Sequence, residues 1–210
     1  MTADLQALFG DIDIYLFDQL LKGRISRAQR VIDAGCGAGR NLIYLLQAGF
    51  DVRGFDIDPR AIEGVRAMAA SLSSEDAGGR FRTGSLADPP FPPASAEVVI
   101  SSAVLHFARD DAEFEAMLTG TWSLLSPGGL LFCRLASTIG IERMLPEVGP
   151  GRRRSVLPDG SWRYLVDEAL LLSRTEALGG RLVEPLKTTV VQGQRAMTTW
   201  VVRRNGMTDR

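Results

Sequence analysis

Short apolar runs alternate with helix-period segments along the whole chain, the pattern of an α/β protein built on a mostly parallel sheet. The first periodic segment opens at Asp13, a residue type that caps helices, and places Ile14, Phe17, Leu20 and Leu21 on one face. A first strand over 30–33 runs into the glycine-rich Gly35-Cys36-Gly37-Ala38-Gly39, and the helix after it carries Leu42, Leu45 and Leu46 inward and stops at Gly49. The second strand spans 51–55. Asp58-Pro59, a cap followed by proline at the first helical position, then starts a helix that buries Ile62, Val65, Ala69 and Leu72. A polar loop over 71–79 leads to a short third strand at 81–84. The fourth strand, 98–101, is the most apolar and is expected at the centre of the sheet. A helix beginning near Asp110 and Asp111 presents Phe114, Met117, Leu118, Trp122 and Leu125 at helical spacing. Ser126-Pro127-Gly128-Gly129 reads as a turn that delivers a fifth strand over 130–135. Residues 137–162, rich in Pro, Gly and Arg, form the least regular stretch. A last helix over 167–178, stopped by Gly179-Gly180, precedes two β-rich runs, 182–191 and 196–202, which read as an antiparallel hairpin around Gln192-Gly193-Gln194.

With 210 residues there is room for one domain that buries a sheet on both faces, and no linker or internal repeat divides it. Residues 1–25 read as an N-terminal helical cap and 137–163 as an irregular segment on the substrate side. Apolar residues at 45% against 23% charged exclude a disordered chain. A net charge of −1 supplies no field toward nucleic acid or an anionic membrane, so neither is expected as a partner. Cys36 and Cys133 are the only cysteines and His106 the only histidine, too few for a disulfide framework or a zinc site, so no metal is expected. No apolar run approaches the ~18 residues of a membrane span, and no basic-then-apolar leader opens the sequence, so a cytoplasmic protein with reduced thiols is expected.

The chemistry concentrates at Asp33-Ala34-Gly35-Cys36-Gly37-Ala38-Gly39. Glycines directly after a strand let the backbone turn tightly into a helix and approach a ligand closely. A dinucleotide loop needs G-x-G-x-x-G, and its third glycine falls on Arg40 in one register and on Leu42 in the other. Asp56, 21 residues after Gly35, stands after the second strand, where nucleoside-binding α/β folds place an acid on the ribose hydroxyls. Ile57 beside it can cover one face of an adenine. The competing reading of Asp56 is a solvated loop acid.

The acid-led G-x-G-x-G turn, the acid after strand two and Leu125-Ser126-Pro127-Gly128-Gly129, an L-x-P-G-G sequence before strand five, together resemble the class I, Rossmann-like S-adenosylmethionine-dependent methyltransferases. Within that family, Gly39-Arg40-Asn41 and the chain length are most similar to the tellurite-resistance methyltransferases. The resemblance implies a three-layer α/β fold with a seven-stranded, mostly parallel sheet whose last strand is antiparallel. It implies methyl transfer from S-adenosylmethionine, leaving S-adenosylhomocysteine, to a small-molecule acceptor by direct in-line displacement. Such chemistry is carried by positioning more than by reactive side chains. Two alternatives stand beside it: a non-catalytic S-adenosylmethionine-binding partner protein, and an NAD(P)-dependent oxidoreductase, which the glycine spacing disfavours.

Carried over by residue, the resemblance implies that Asp33 and the backbone of Gly35 and Cys36 hold the methionine end of the cofactor, with Gly37 in the same turn. Arg40 and Asn41 lie beside that end, although helix capping alone accounts for Asn41. Asp56 and Ile57 take ribose and adenine, and Ser85 and Leu86 approach the adenine edge. The family often has an acid where Ser85 stands. Ser101 and Ser102 line the methyl region. His106, just beyond strand four, is the candidate general base, against the plainer reading of a half-buried, satisfied histidine. Arg152, Arg153 and Arg154 fall where the substrate roof is built, or form a solvated basic loop. Tyr15 either closes over the cofactor or packs. Asp88-Pro89-Pro90-Phe91 resembles the acid-Pro-Pro-aromatic signature of amino-group methylating enzymes, but it precedes strand four and reads as a loop.

Overall fold

Alternating burial along the strands builds the centre of the molecule in the computed structural model, which describes residues 4–72 and 78–206. Strand β1 (Arg30–Ala34) lies parallel between β2 (Asp51–Asp56) and β4 (Ala96–Ser102), with Val31 level with Val52 and Val98. Successive residues point to opposite faces. Val31, Val98, Ile100, Leu130 and Phe132 therefore join Leu42 and Ile62 in one core layer. Ile32, Val99, Leu131 and Cys133 join Phe114, Trp122 and Trp200 in the other. Both faces are covered by helices, which is why these strands read as continuous apolar runs.

The sheet runs β3–β2–β1–β4–β5–β10, with β3 (Phe81–Thr83) at one edge. Strand β5 (Leu125–Ser137) is parallel to β4, and β10 (Arg195–Arg204) is antiparallel to β5. The far side of β10 carries two short antiparallel strands, β8 (Gly180–Leu182) against its end and β9 (Lys187–Val191) against its start. Eight strands thus occupy seven lanes. The apolar β4 takes the fourth lane, at the centre as expected. Helices α3 (Leu42–Gln47) and α4 (Pro59–Leu72) follow β1 and β2; α5 (Asp111–Ser123) and α6 (Glu168–Ala177) follow β4 and the hairpin described below. Asp110 and Asp167 cap α5 and α6 by accepting backbone N–H groups at Glu113 and Leu170.

Several local expectations change. Leu125-Ser126-Pro127-Gly128-Gly129 is not a turn ahead of the strand but a bulge inside β5. Leu125 already pairs with Ala96, and Leu130 with Val98, so Leu125 belongs to the sheet rather than to the helix face. Ser71 and Leu72 extend α4, and of the loop expected over 71–79, residues 73–77 lie outside the described residues. The stretch 137–162 holds β6 (Arg154–Val156) and ends as β7 (Trp162–Tyr164) begins, the two strands forming an antiparallel hairpin whose polar composition hid its register. At the N-terminus a short helix, α1 (Leu5–Phe9), precedes α2 (Ile14–Leu21). Asp13 caps α2 as expected, but Ile14 and Leu21 face solvent while Leu16 and Gln19 are buried. Leu16 and Leu20 pack on the core and Phe17 on Phe9 and Tyr44, while Asp13 anchors the start of α2.

Candidate functional site

A cavity of about 940 Å³ opens at the carboxyl ends of β1, β2 and β4, where open α/β sheets bind ligands. Its floor is the glycine turn. Backbone N–H groups of Gly35 and Cys36 both donate to the Phe55 carbonyl, at 2.8 and 3.0 Å, which ties the turn to the end of β2. Gly35 has φ +77°, and a Cβ there would lie 2.6 Å from the Val104 side chain, so only glycine fits. Gly37 also has positive φ, and a Cβ there would meet no protein atom within 4 Å.

Asp56 closes this turn from the β2 side. Its Oδ2 accepts the Gly37 N–H at 2.9 Å and its Oδ1 accepts the Asp58 N–H at 3.0 Å. Each oxygen keeps a lone pair free. Ile57, 75% exposed, stands at the mouth beside it, and Ser85 and Leu86 line the same end. The Ser85 hydroxyl accepts the Ala87 N–H at 3.1 Å.

At the opposite side the floor rests on a buried carboxylate. Asp13 Oδ1 accepts the Tyr15 N–H that begins α2, and its Oδ2 accepts from Ser102 Oγ at 3.0 Å and Arg134 Nη1 at 3.2 Å. Arg40 Nη2 donates to Ser102 Oγ at 2.8 Å and lies 3.5 Å from Asp13. The Asp13 N–H donates to Asn41 Oδ1 at 3.0 Å. Asn41 is therefore a tether for the N-terminal segment, and it makes no side-chain cap to α3. Arg40, Asn41, Ser102 and Arg134 all line the cavity.

The cavity brings together Gly35, Cys36, Gly37, Arg40, Asn41, Asp56, Ile57, Ser85, Leu86, Ser102 and His106 of the residues expected from sequence. It leaves out the rest. Asp33 is buried beneath the turn with Oδ2 unpartnered. Burial pushes its carboxyl up to about 7, against the pull of Arg40 and with a further push from Asp56. Ser101 is likewise buried with its hydroxyl unpartnered, because alternation along β4 turns it away from Ser102. Tyr15 stands behind the wall: its hydroxyl bonds Thr189 Oγ1 at 2.6 Å, and the Arg134 guanidinium lies 5.2 Å from its ring. The arginine run does not form the roof. Arg153 is buried in an ion pair with Asp167 at 2.9 Å, Arg154 donates to the carbonyls of Phe107 and Ala108, and Arg152 is exposed. Asp88 and its neighbours form a loop, where Phe91 packs against Phe55.

His106 does line the cavity, but its proton arrangement opposes a general base. Nδ1 accepts the Ala136 N–H at 3.1 Å, which leaves the ring proton on Nε2. Burial, reinforced by the charge of Arg163, lowers the pKa of the ring to about 3. A base needs a pKa near the working pH and a free lone pair toward its substrate. This ring has neither.

Sequence reasoning passed over Arg134, Arg163, Arg195, Asp159 and Leu157, which also line the cavity. One signal was available: Arg134 is a lone charge inside the apolar run Leu130-Leu131-Phe132-Cys133-Arg134-Leu135. Buried charges there need a partner, and Asp13 supplies it. The hairpin residues gave no comparable signal.

Residues 31–129 match the family model described as a methyltransferase domain. An uncharacterised methyltransferase of Synechocystis is 29% identical over 106 residues, which cover 50% of this chain and 46% of that protein. The chain thus spans less than half the length of that relative. Among solved structures, the magnesium protoporphyrin IX methyltransferase of Synechocystis with bound S-adenosylhomocysteine superposes with a TM-score of 0.66 at 22% identity, over 92% of this chain and 81% of the other. The 1,6-didemethyltoxoflavin-N1-methyltransferase of Burkholderia thailandensis, solved with 1,6-didemethyltoxoflavin and S-adenosylhomocysteine, gives 0.66 at 19% identity, over 96% and 81%. The tellurite-resistance likeness drawn from Gly39-Arg40-Asn41 finds no support in these relatives. Sheet order, glycine turn and structural neighbours give the chain the class I, Rossmann-like methyltransferase fold, and residues 31–129 within it match a methyltransferase domain.

Proposed function

We propose that this chain transfers the methyl group of S-adenosylmethionine to a small-molecule acceptor bound in the same cavity. The observation that carries the reading is Asp56, fixed by the Gly37 and Asp58 N–H groups with both carboxylate oxygens still able to accept. Two adjacent hydroxyls, as on a ribose, suit that carboxylate. Ile57 offers an uncovered apolar face to an adenine, and the open space over Gly37 leaves room for the ligand backbone. Arg40 and Arg134 share the single carboxylate of Asp13, so one positive charge remains for the carboxylate of a methionine moiety. When bound, the cofactor supplies a sulfonium methyl that is already electrophilic. The chain's own residues orient the two ligands and exclude water, and no side chain is assigned a proton transfer.

The cavity volume of about 940 Å³ exceeds what one nucleoside ligand needs, which favours a small second ligand over a macromolecule. With a net charge of −1, nucleic acid is a poor partner. Cys36 and Cys133 as free, buried thiols fit a reducing cytoplasm. Among the described residues no helix is long and apolar enough to cross a membrane.

Calorimetry with S-adenosylhomocysteine tests the reading. The wild-type chain binds it, and Asp56→Ala binds roughly ten- to hundredfold more weakly, the value of a hydrogen bond to a charged group. Equal affinities in the two proteins, with Asp56→Ala folded, would remove Asp56 from the ribose site.

A further inference from the structure

The end of the cavity away from Asp56 is walled by the β6–β7 hairpin, and its charges do not balance. Arg163, on β7, and Arg195, at the start of β10, face one carboxylate, Asp159, at the hairpin tip. Arg195 approaches Asp159 only to 3.9 Å, and Asp159 is already engaged by the N–H and hydroxyl of Ser161 at 3.0 and 2.6 Å. The other carboxylate on this wall, Glu113, is taken by the Arg109 N–H at 2.6 Å and Nε at 2.9 Å. Among the described residues no carboxylate pairs with Arg163. Its Nη1 donates to the Trp162 carbonyl at 2.7 Å, and its guanidinium sits 4.9 Å from the centre of the Phe107 ring. A guanidinium has five N–H donors, so most of Arg163 is unspent.

Beside it stands His106, whose ring lies 4.7 Å from Phe107. The Ala136 N–H occupies Nδ1, so Nε2–H is a fixed donor on the cavity wall. A cation and a neutral N–H donor therefore point into one apolar chamber, lined also by Met117, Leu157 and Met197. That set is the complement of an anionic oxygen carried on an apolar body.

We propose that the acceptor is a small organic carboxylate, recognised by the Arg163 guanidinium and the His106 Nε2–H. This rests on the methyltransferase reading and adds the acceptor's class to it. A monoanion is favoured over a phosphate dianion, because two arginines against Asp159 leave a single positive charge unmatched. His106 is then a positioning donor, which explains why it is buried, neutral and on the wall at once.

The test uses the full chain saturated with S-adenosylhomocysteine and a ligand-observed NMR screen of matched fragments. Each aromatic or alicyclic carboxylate is paired with its carboxamide and with a phosphate monoester of the same skeleton. Carboxylates are expected to bind at least about tenfold more tightly than their amides, the worth of a charge-assisted hydrogen bond. Arg163→Gln should abolish that preference and Arg163→Lys restore part of it, with S-adenosylhomocysteine affinity and melting temperature unchanged in both. The inference is overturned if amides bind as tightly as acids, if phosphate monoesters outbind carboxylates, if no carboxylate binds, or if Arg163→Gln keeps the preference. Failure of wild-type protein to bind S-adenosylhomocysteine would instead overturn the reading on which it rests.

Discussion

Asp13 is the residue whose removal should cost the fold most for its size. Its side chain is fully buried, while that of Arg134 is 20% exposed and that of Arg40 is 42% exposed. Removing one partner of a buried ion pair costs about 3–5 kcal/mol, and the partial wetting of Arg134 argues for the lower end, about 3. Arg40, longer at 3.5 Å and well solvated, adds little, since exposed pairs are worth ~0–1 kcal/mol. Loss of the α2 cap costs a further ~1 kcal/mol. Asp13→Ala should therefore lose about 4 kcal/mol. Asp13→Asn removes the charge but keeps a good capping residue, so it should lose about 3. For a chain of this length those losses lower the melting temperature by roughly 10 °C. Urea unfolding of both variants measures the values. The double variant Asp13→Asn, Arg134→Met removes both charges and should recover at least ~1.5 kcal/mol relative to the sum of the singles. An Asp13→Ala loss under ~1 kcal/mol, or full additivity with Arg134→Met, would show that the cluster does not anchor α2.

Asp33, with its carboxyl pushed up to about 7 by burial, contributes stability only in its neutral form: present below its unfolded pKa, lost as pH rises through about 7. Asp33→Asn should therefore gain on wild type by several kcal/mol between pH 4.5 and pH 8, and parallel urea stability curves across that range would refute the shift. As the single histidine, His106 can be followed without assignment by long-range ¹⁵N NMR, which should show a neutral Nε2–H tautomer down to pH 5; a midpoint near 6.5 would contradict the buried geometry. Its lowered pKa favours the neutral ring in the folded state. That contribution is intact above about 6.5 and is lost as pH falls toward 3. Gly35→Ala combines a left-handed backbone with a 2.6 Å contact to Val104, so it should cost at least ~2 kcal/mol and weaken S-adenosylhomocysteine binding; a variant of native stability would mean the turn can shift freely.

Much of this architecture was legible because its causes are local. Asp58-Pro59 starts α4, Leu42, Leu45 and Leu46 face inward, and the glycine turn follows β1, each set by a few neighbouring residues. The misread parts depend on partners distant in sequence. The start of α2 is anchored by Asp13 meeting Ser102 and Arg134, roughly a hundred residues away, and hydrophobic periodicity carries no record of that. Ser101 and Ser102 look equivalent in sequence, yet the alternation of β4 gives the cavity only one of them. The arginine run at 152–154 drew attention by charge density, while the cavity-lining arginine without an ion pair among the described residues is Arg163, set among ordinary hairpin residues. Charge density does not separate a loop from a cavity wall; the positions of the charges and of their counterions do, and those need the coordinates.

The division of one lane into β8 and β9 bears on how the molecule avoids its own kind. An exposed sheet edge is a template on which another chain can add a strand, and long, flat edges invite fibres and precipitation. Here the β10 side ends in segments of three and five residues, interrupted where Pro185 removes a backbone donor and Glu184 is tied to Arg24 and Lys187. The opposite edge, β3, is three residues long. Four residues, 183–186, stand opposite only Trp200 and Val201, so deleting Glu184 and Pro185 would bring the two segments into one register and splice them into a continuous rim. The same fold would then be expected to lose colloidal solubility on concentration, with its cofactor site untouched.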